Sequence, residues 1–107
     1  MQVSVVGRQV EVSDDLRVFA EEKTSKLPRY YDRVKTAEVV VERESDLISV
    51  EMIVHADGAK PFIAKEVGSD VRACIDLLMD KMERQLSKYK EMHRNKKHIA
   101  KKADLPE

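Results

Sequence analysis

Tryptophan is absent, cysteine occurs once, and glycine and proline occur three times each in a chain of 107 residues. A lone thiol, Cys74, cannot form an intrachain disulfide. That excludes a small disulfide-stapled secreted domain and suits a reducing cytosol. So few glycines and prolines leave little for long flexible linkers. No apolar run approaches the ~20 residues of a membrane span, and near the start the longest is Val5-Val6, too short for a secretory leader. Excess charge of one sign is missing too, because twenty Lys+Arg balance twenty Asp+Glu. The arrangement of charge therefore says more than its total.

What is present fits one domain: 42% hydrophobic residues for a modest core and 37% charged residues, well above the usual share. Residues 1–7 alternate apolar and polar and stop at Gly7, a first strand. Ser13-Asp14-Asp15 caps a helix expected from about Asp14 to Leu27, closed by Pro28. Strands follow over Thr36–Glu44, over Ile48–His55, and over 61–67, with turns at Glu44-Ser45-Asp46 and Asp57-Gly58. The early Pro61 marks the last as an edge strand. Ser69-Asp70 caps a longer helix ending near Arg94, in which Val71, Ile75, Leu78, Met82, Leu86 and Tyr89 share one face. Residues 95–107 lose this periodicity and are expected to be a basic, disordered tail after a domain of residues 1–94. The fold class is α+β in the order β-α-β-β-β-α. A right-handed crossover makes the first two strands parallel, the other pairs are antiparallel, and both helices cover one face of a four-stranded mixed sheet.

No catalytic constellation is found. His93 and His98 stand five apart, on different helical faces, so they do not share a metal. Cys74 falls in the apolar stripe and reads as a buried, inert thiol. Glycine-loop, HExxH and nucleophile-elbow motifs are missing. The expectation is a non-enzyme with no catalytic residues, no metal and no cofactor. Charge segregation is more informative. Residues 1–70 carry ten Lys+Arg against fourteen Asp+Glu, whereas residues 71–107 carry ten against six. Lys81, Arg84 and Lys88 fall within about a 60° arc beside the apolar stripe. On the first helix Lys23 shares a face with Leu16, Phe19, Ala20 and Leu27, where solubility does not require it; Lys26, Arg29 and Arg33 follow. With the helices side by side, Lys23 and Lys26 are expected to face Lys81, Arg84 and Lys88 in one positive strip. Such a strip suits a phosphate backbone. Phe19 and Tyr89 read as core, so no aromatic platform for bases is expected, and the target is structured RNA read by shape and phosphates.

Several segments carry a family resemblance: Val3-Ser4-Val5-Val6-Gly7-Arg8, Glu22-Lys23 leading to Leu27, Tyr30-Tyr31-Asp32-Arg33, Ala73-Cys74-Ile75-Asp76, and Asp80 through Lys90. Together they resemble the ribosome hibernation-promoting factors, also called ribosome-associated translation inhibitors or sigma-54 modulation proteins, over residues 1 to about 94. The resemblance implies a fold similar to double-stranded-RNA-binding domains. It implies a cytoplasmic, stationary-phase translation inhibitor that binds ribosomal RNA of the small ribosomal subunit and occludes the mRNA and tRNA channel, with no DNA or membrane partner. The family's basic residues map onto Lys23, Lys26, Arg29, Lys81, Arg84 and Lys88. Cys74 stands where the family often has alanine, a change of one small residue for another. Long members add a dimerisation domain that this chain lacks, so a monomer is expected. The alternative is a regulator of transcription acting through protein contacts, as the sigma-54 label suggests, for which the sequence offers no specific partner surface.

Overall fold

The computed structural model describes the backbone of residues 1–103 and the side chains of residues 1–93. Its elements are β1 (Gln2–Arg8), α1 (Asp14–Thr24), a 3-10 turn (Leu27–Arg29), β2 (Val34–Glu44), β3 (Leu47–Ala56), β4 (Phe62–Gly68) and α2 (Val71–Ala103). The sheet order is β1-β2-β3-β4, with β1 parallel to β2 and the other two pairs antiparallel, as the period switches in the sequence predict.

Local chemistry sets the element ends. A Cβ on Gly7 would lie 2.2 Å from the Val10 carbonyl oxygen, so the tight fold-back after β1 needs glycine there. The Ser13 hydroxyl accepts from the Leu16 amide at 3.1 Å and caps α1. The helix stops at Thr24, short of the expected Leu27. Pro28 has no amide hydrogen to donate to the Thr24 carbonyl, so the α-helical ladder cannot run on through it. The Thr24 hydroxyl donates back to the Ala20 carbonyl at 2.8 Å, and the chain tightens into the 3-10 turn. At the start of α2 the Asp70 carboxylate accepts from the Arg72 and Ala73 amides at 3.0 and 3.3 Å. The backbone of α2 continues past the expected end near Arg94 to Ala103. Lysine and alanine, both good helix formers, dominate that stretch. The side chains of the expected tail lie outside the described residues.

Both helices pack on one face of the sheet. Ile75, Leu78, Met82 and Leu86 of α2 meet Val39 and Val41 of β2 and Val50, Met52 and Val54 of β3, all buried. Each large side chain removed from water contributes roughly 1.5–3 kcal/mol. Register places odd-numbered residues of β2 and even-numbered residues of β3 on this face. The other face is open to water, with Ile63 and Val67 exposed on the edge strand β4. The two helices present an outer surface on which polar side chains surround the exposed Val18, Leu77 and Met92, and the candidate site lies there.

Candidate nucleic-acid interface

The helical phase of α2 divides its charged residues between two flanks. One flank meets β4. There Lys81 Nζ lies 2.6 Å from Glu66 Oε2 and 3.3 Å from the Lys65 carbonyl oxygen, and Gln85 Nε2 donates to the Ile63 carbonyl at 3.1 Å. Arg84 and Lys88 continue this side outward, both exposed. Neither has an ion-pair partner among the described residues.

The other flank of α2 meets α1, and it is acidic. Lys23 Nζ lies 3.1 Å from Asp76 Oδ1 and 5.3 Å from the centre of the Phe19 ring. Arg72 covers the same ring at 4.8 Å. Lys23 and Lys26 line the groove between the helices with Tyr30, Asp76, Asp80 and Glu83. The expected single strip across both helices is therefore not formed. Lys23 and Lys26 face a row of carboxylates, and Lys81 faces β4. The angle of a residue from an apolar stripe does not say which neighbour lies on that side. The missed signal was charge complementarity: Asp76 and Glu83 sit opposite the phase of Lys81, where a half-buried Lys23 needs them.

Arg29, the remaining expected contact, stands at the end of the 3-10 turn beside Tyr30, Ser87, Lys90 and Glu91. Sequence reasoning gave no site role to Lys90 or His93, which gather near Arg29 and Arg33 at this end of the molecule. Chemically the surface offers cations and hydroxyls to phosphate oxygens. Cys74, by contrast, is buried at 3% exposure. Burial first, then the nearby Glu66 and Asp70 carboxylates, push its pKa up, which suits a structural thiol. Among the described residues no group of three His, Cys, Asp or Glu is placed to hold a metal, and no helix is long and apolar enough to cross a membrane.

With this geometry in hand, comparison with known proteins gives consistent relatives. A profile of the family described as Sigma 54 modulation protein / S30EA ribosomal protein matches residues 3–94. A ribosome hibernation promoting factor of Azotobacter vinelandii is 39% identical over 106 residues, which is 99% of this chain and 98% of that protein. The ribosome hibernation promoting factor of Escherichia coli (strain K12) is 36% identical over 91 residues, covering 85% of this chain and 95% of its own. Among solved structures, a ribosomal subunit interface protein from Coxiella burnetii superposes with a TM-score of 0.78 at 28% identity, covering 85% of this chain and 99% of that one. The Thermus thermophilus Protein Y N-terminal domain gives 0.74 at 28% identity, covering 83% and 99%.

Proposed function

The chain belongs to the Sigma 54 modulation protein / S30EA ribosomal protein family, and on that premise we propose that it is a ribosome hibernation factor. It binds the small ribosomal subunit through ribosomal RNA, occludes the mRNA and tRNA channel, and suppresses translation in stress or stationary phase in the cytoplasm. The observation that carries this reading is the likeness to the Azotobacter vinelandii hibernation promoting factor along 99% of the chain.

The surface chemistry supports it. Arg84 and Lys88 offer exposed cations on the outside of α2, and Arg29 and Lys90 add two more beside the 3-10 turn. Each phosphate neutralised releases counterions, so affinity falls with salt. Lys23 and Lys26 contribute less than their number suggests, because Asp76, Asp80 and Glu83 share their groove. Lys81 reaches phosphate only by leaving Glu66.

Co-sedimentation with small ribosomal subunits at low and high salt tests the reading. The expected result is a complex at low salt that dissociates at high salt, with cell-free bacterial translation suppressed and initiator-tRNA binding competed away. Unchanged initiator-tRNA binding at saturating protein would overturn the occlusion mechanism. Failure to pellet with the subunit at low salt would overturn ribosome binding and favour the transcriptional reading.

A further inference from the structure

We propose that the end of the molecule where the 3-10 turn, the β3–β4 turn and α2 meet is a subsite for one unpaired nucleotide of RNA. The base lies against His93 and the phosphate between Arg29 and Lys90. The proposal rests on the RNA-binding reading above and adds to it the kind of RNA element recognised.

Two adjoining clefts share Lys90. The first, of about 310 Å³, brings together Arg29, Tyr30, Ser87 and Lys90. A guanidinium, an ammonium and two hydroxyls form a donor set for phosphate oxygens. The Glu91 carboxylate on its rim is opposed by the two cations. The second cleft, of about 360 Å³, lies between Arg33, the Asp57-Gly58 turn, Tyr89 and His93.

Its wall is a fixed aromatic stack. Tyr89 meets Tyr31 edge-on at 5.5 Å and Phe62 edge-on at 5.2 Å, so packing sets its ring. The Tyr89 hydroxyl also reaches the Gly58 carbonyl, at 3.4 Å. His93 lies over Tyr89 with ring centres 3.9 Å apart and an interplanar angle of 34°. Its Nδ1 stands 3.1 Å from the Tyr89 carbonyl oxygen. A carbonyl only accepts, so Nδ1 must donate, which fixes the ring and leaves Nε2 as the acceptor when the imidazole is neutral. An ordered imidazole with an exposed position is thus held ready for a second π-face. Asp57 is already paired with Lys35 at 3.0 Å. Asp32, on the rim of the same cleft, offers acceptors to exocyclic amino groups of a base.

A base inside a duplex has both faces covered by its neighbours. Only an unstacked base can reach His93 while its phosphate enters the Arg29 cleft, so the subsite selects a looped or single-stranded nucleotide. Tyr89 was expected to be core only; its half-buried position and the His93 ring above it supply the stacking surface that the sequence did not suggest.

The chain carries its own reporter. It has three tyrosines and no tryptophan, and Tyr30, Tyr31 and Tyr89 all line these two clefts. Tyrosine emission of the full chain, titrated with a short oligoadenylate and with an RNA duplex of the same length, tests the proposal. The expected result is saturable quenching by the single strand and much weaker quenching by the duplex. His93→Ala should lower single-strand affinity about 5- to 100-fold. Lys90→Ala should lower it and reduce the log–log salt slope by roughly 0.7. Both residues are exposed, and far-UV circular dichroism confirms that the variants fold. Absence of quenching, equal quenching by the duplex, or an unchanged His93→Ala variant would overturn the subsite. Ribosome co-sedimentation of the unaltered chain separates the two claims. A chain that pellets with ribosomes yet shows no single-strand quenching loses the subsite and keeps the function; quenching without pelleting does the reverse.

Discussion

The ammonium of Lys81 lies 2.6 Å from Glu66, whose side chain is only 20% exposed, and also reaches the outward carbonyl of Lys65 on the sheet edge. Replacing it by glutamate would set two carboxylates together at a partly desolvated site. Lys81→Glu should therefore destabilise the fold by about 1 kcal/mol or more, whereas Arg84→Glu and Lys88→Glu should stay within about 0.5 kcal/mol. Urea midpoints of the three variants check this. If all three matched the unaltered chain, the Glu66 contact would have no structural weight. Cys74 supplies a pH-dependent test. Its pKa is raised in the folded chain by burial first, then by Glu66 and Asp70. The folded state therefore holds the thiol proton more tightly than the unfolded state. The resulting stabilisation is complete below the ordinary thiol range and declines as pH rises through the interval between unfolded and folded values. Urea midpoints across alkaline pH should fall more steeply for the unaltered chain than for Cys74→Ala, and parallel curves would refute the assignment.

The β2–β3 turn departs from unstrained geometry at one point. Ser45 has φ of +56°, in the left-handed region that non-glycine residues avoid. Ser45→Gly removes that penalty and adds back some unfolded-state entropy, so a net gain of about 0.5 kcal/mol is expected in thermal or urea unfolding. A loss of stability would mean that the serine side chain stabilises the turn. Neighbouring elements show what the sequence discloses and what it hides. Alternation in 48–55 placed Val50, Met52 and Val54 on the core face, because the strand period leaves only two choices. The apolar phase of α2 likewise foretold the burial of Ile75, Leu78, Met82 and Leu86. The interface was less legible because it depends on contacts between elements. Lys81, Arg84 and Lys88 were correctly placed beside the stripe, but whether β4 or α1 borders that side follows from how α2 lies across the sheet. Tyr89 presents the same limit: its spacing marks it as core, yet only the β3–β4 turn and the Tyr31 ring determine that one side stays open.

Seen whole, the molecule ties both edges of its sheet to helix side chains. Arg17 Nη1 donates to the Val5 carbonyl on β1 at 2.8 Å, and Lys81 and Gln85 do the same for β4. Occupied carbonyls give a second chain little to pair with, so light scattering at micromolar concentration should find a monomer, and a stable dimer would contradict this. Under the proposed function, the outer row of α2 is the part that contacts ribosomal RNA. Arg84 and Lys88 are exposed and unpaired among the described residues, so their removal changes charge with little change in folding. Arg84→Ala combined with Lys88→Ala should flatten the log–log dependence of ribosome binding on salt by roughly 2 if duplex-like counterion release applies. The corresponding double glutamate variant should bind orders of magnitude more weakly, because two attractive contacts become repulsive. The matched control replaces Lys96, Lys101 and Lys102 by alanine. These follow α2's packed part, and their side chains lie outside the described residues. A control that flattens the slope as much as the Arg84 and Lys88 pair would make the basic end a nonspecific polycation. An unchanged control with a flattened pair would assign phosphate contact to the outer row of α2.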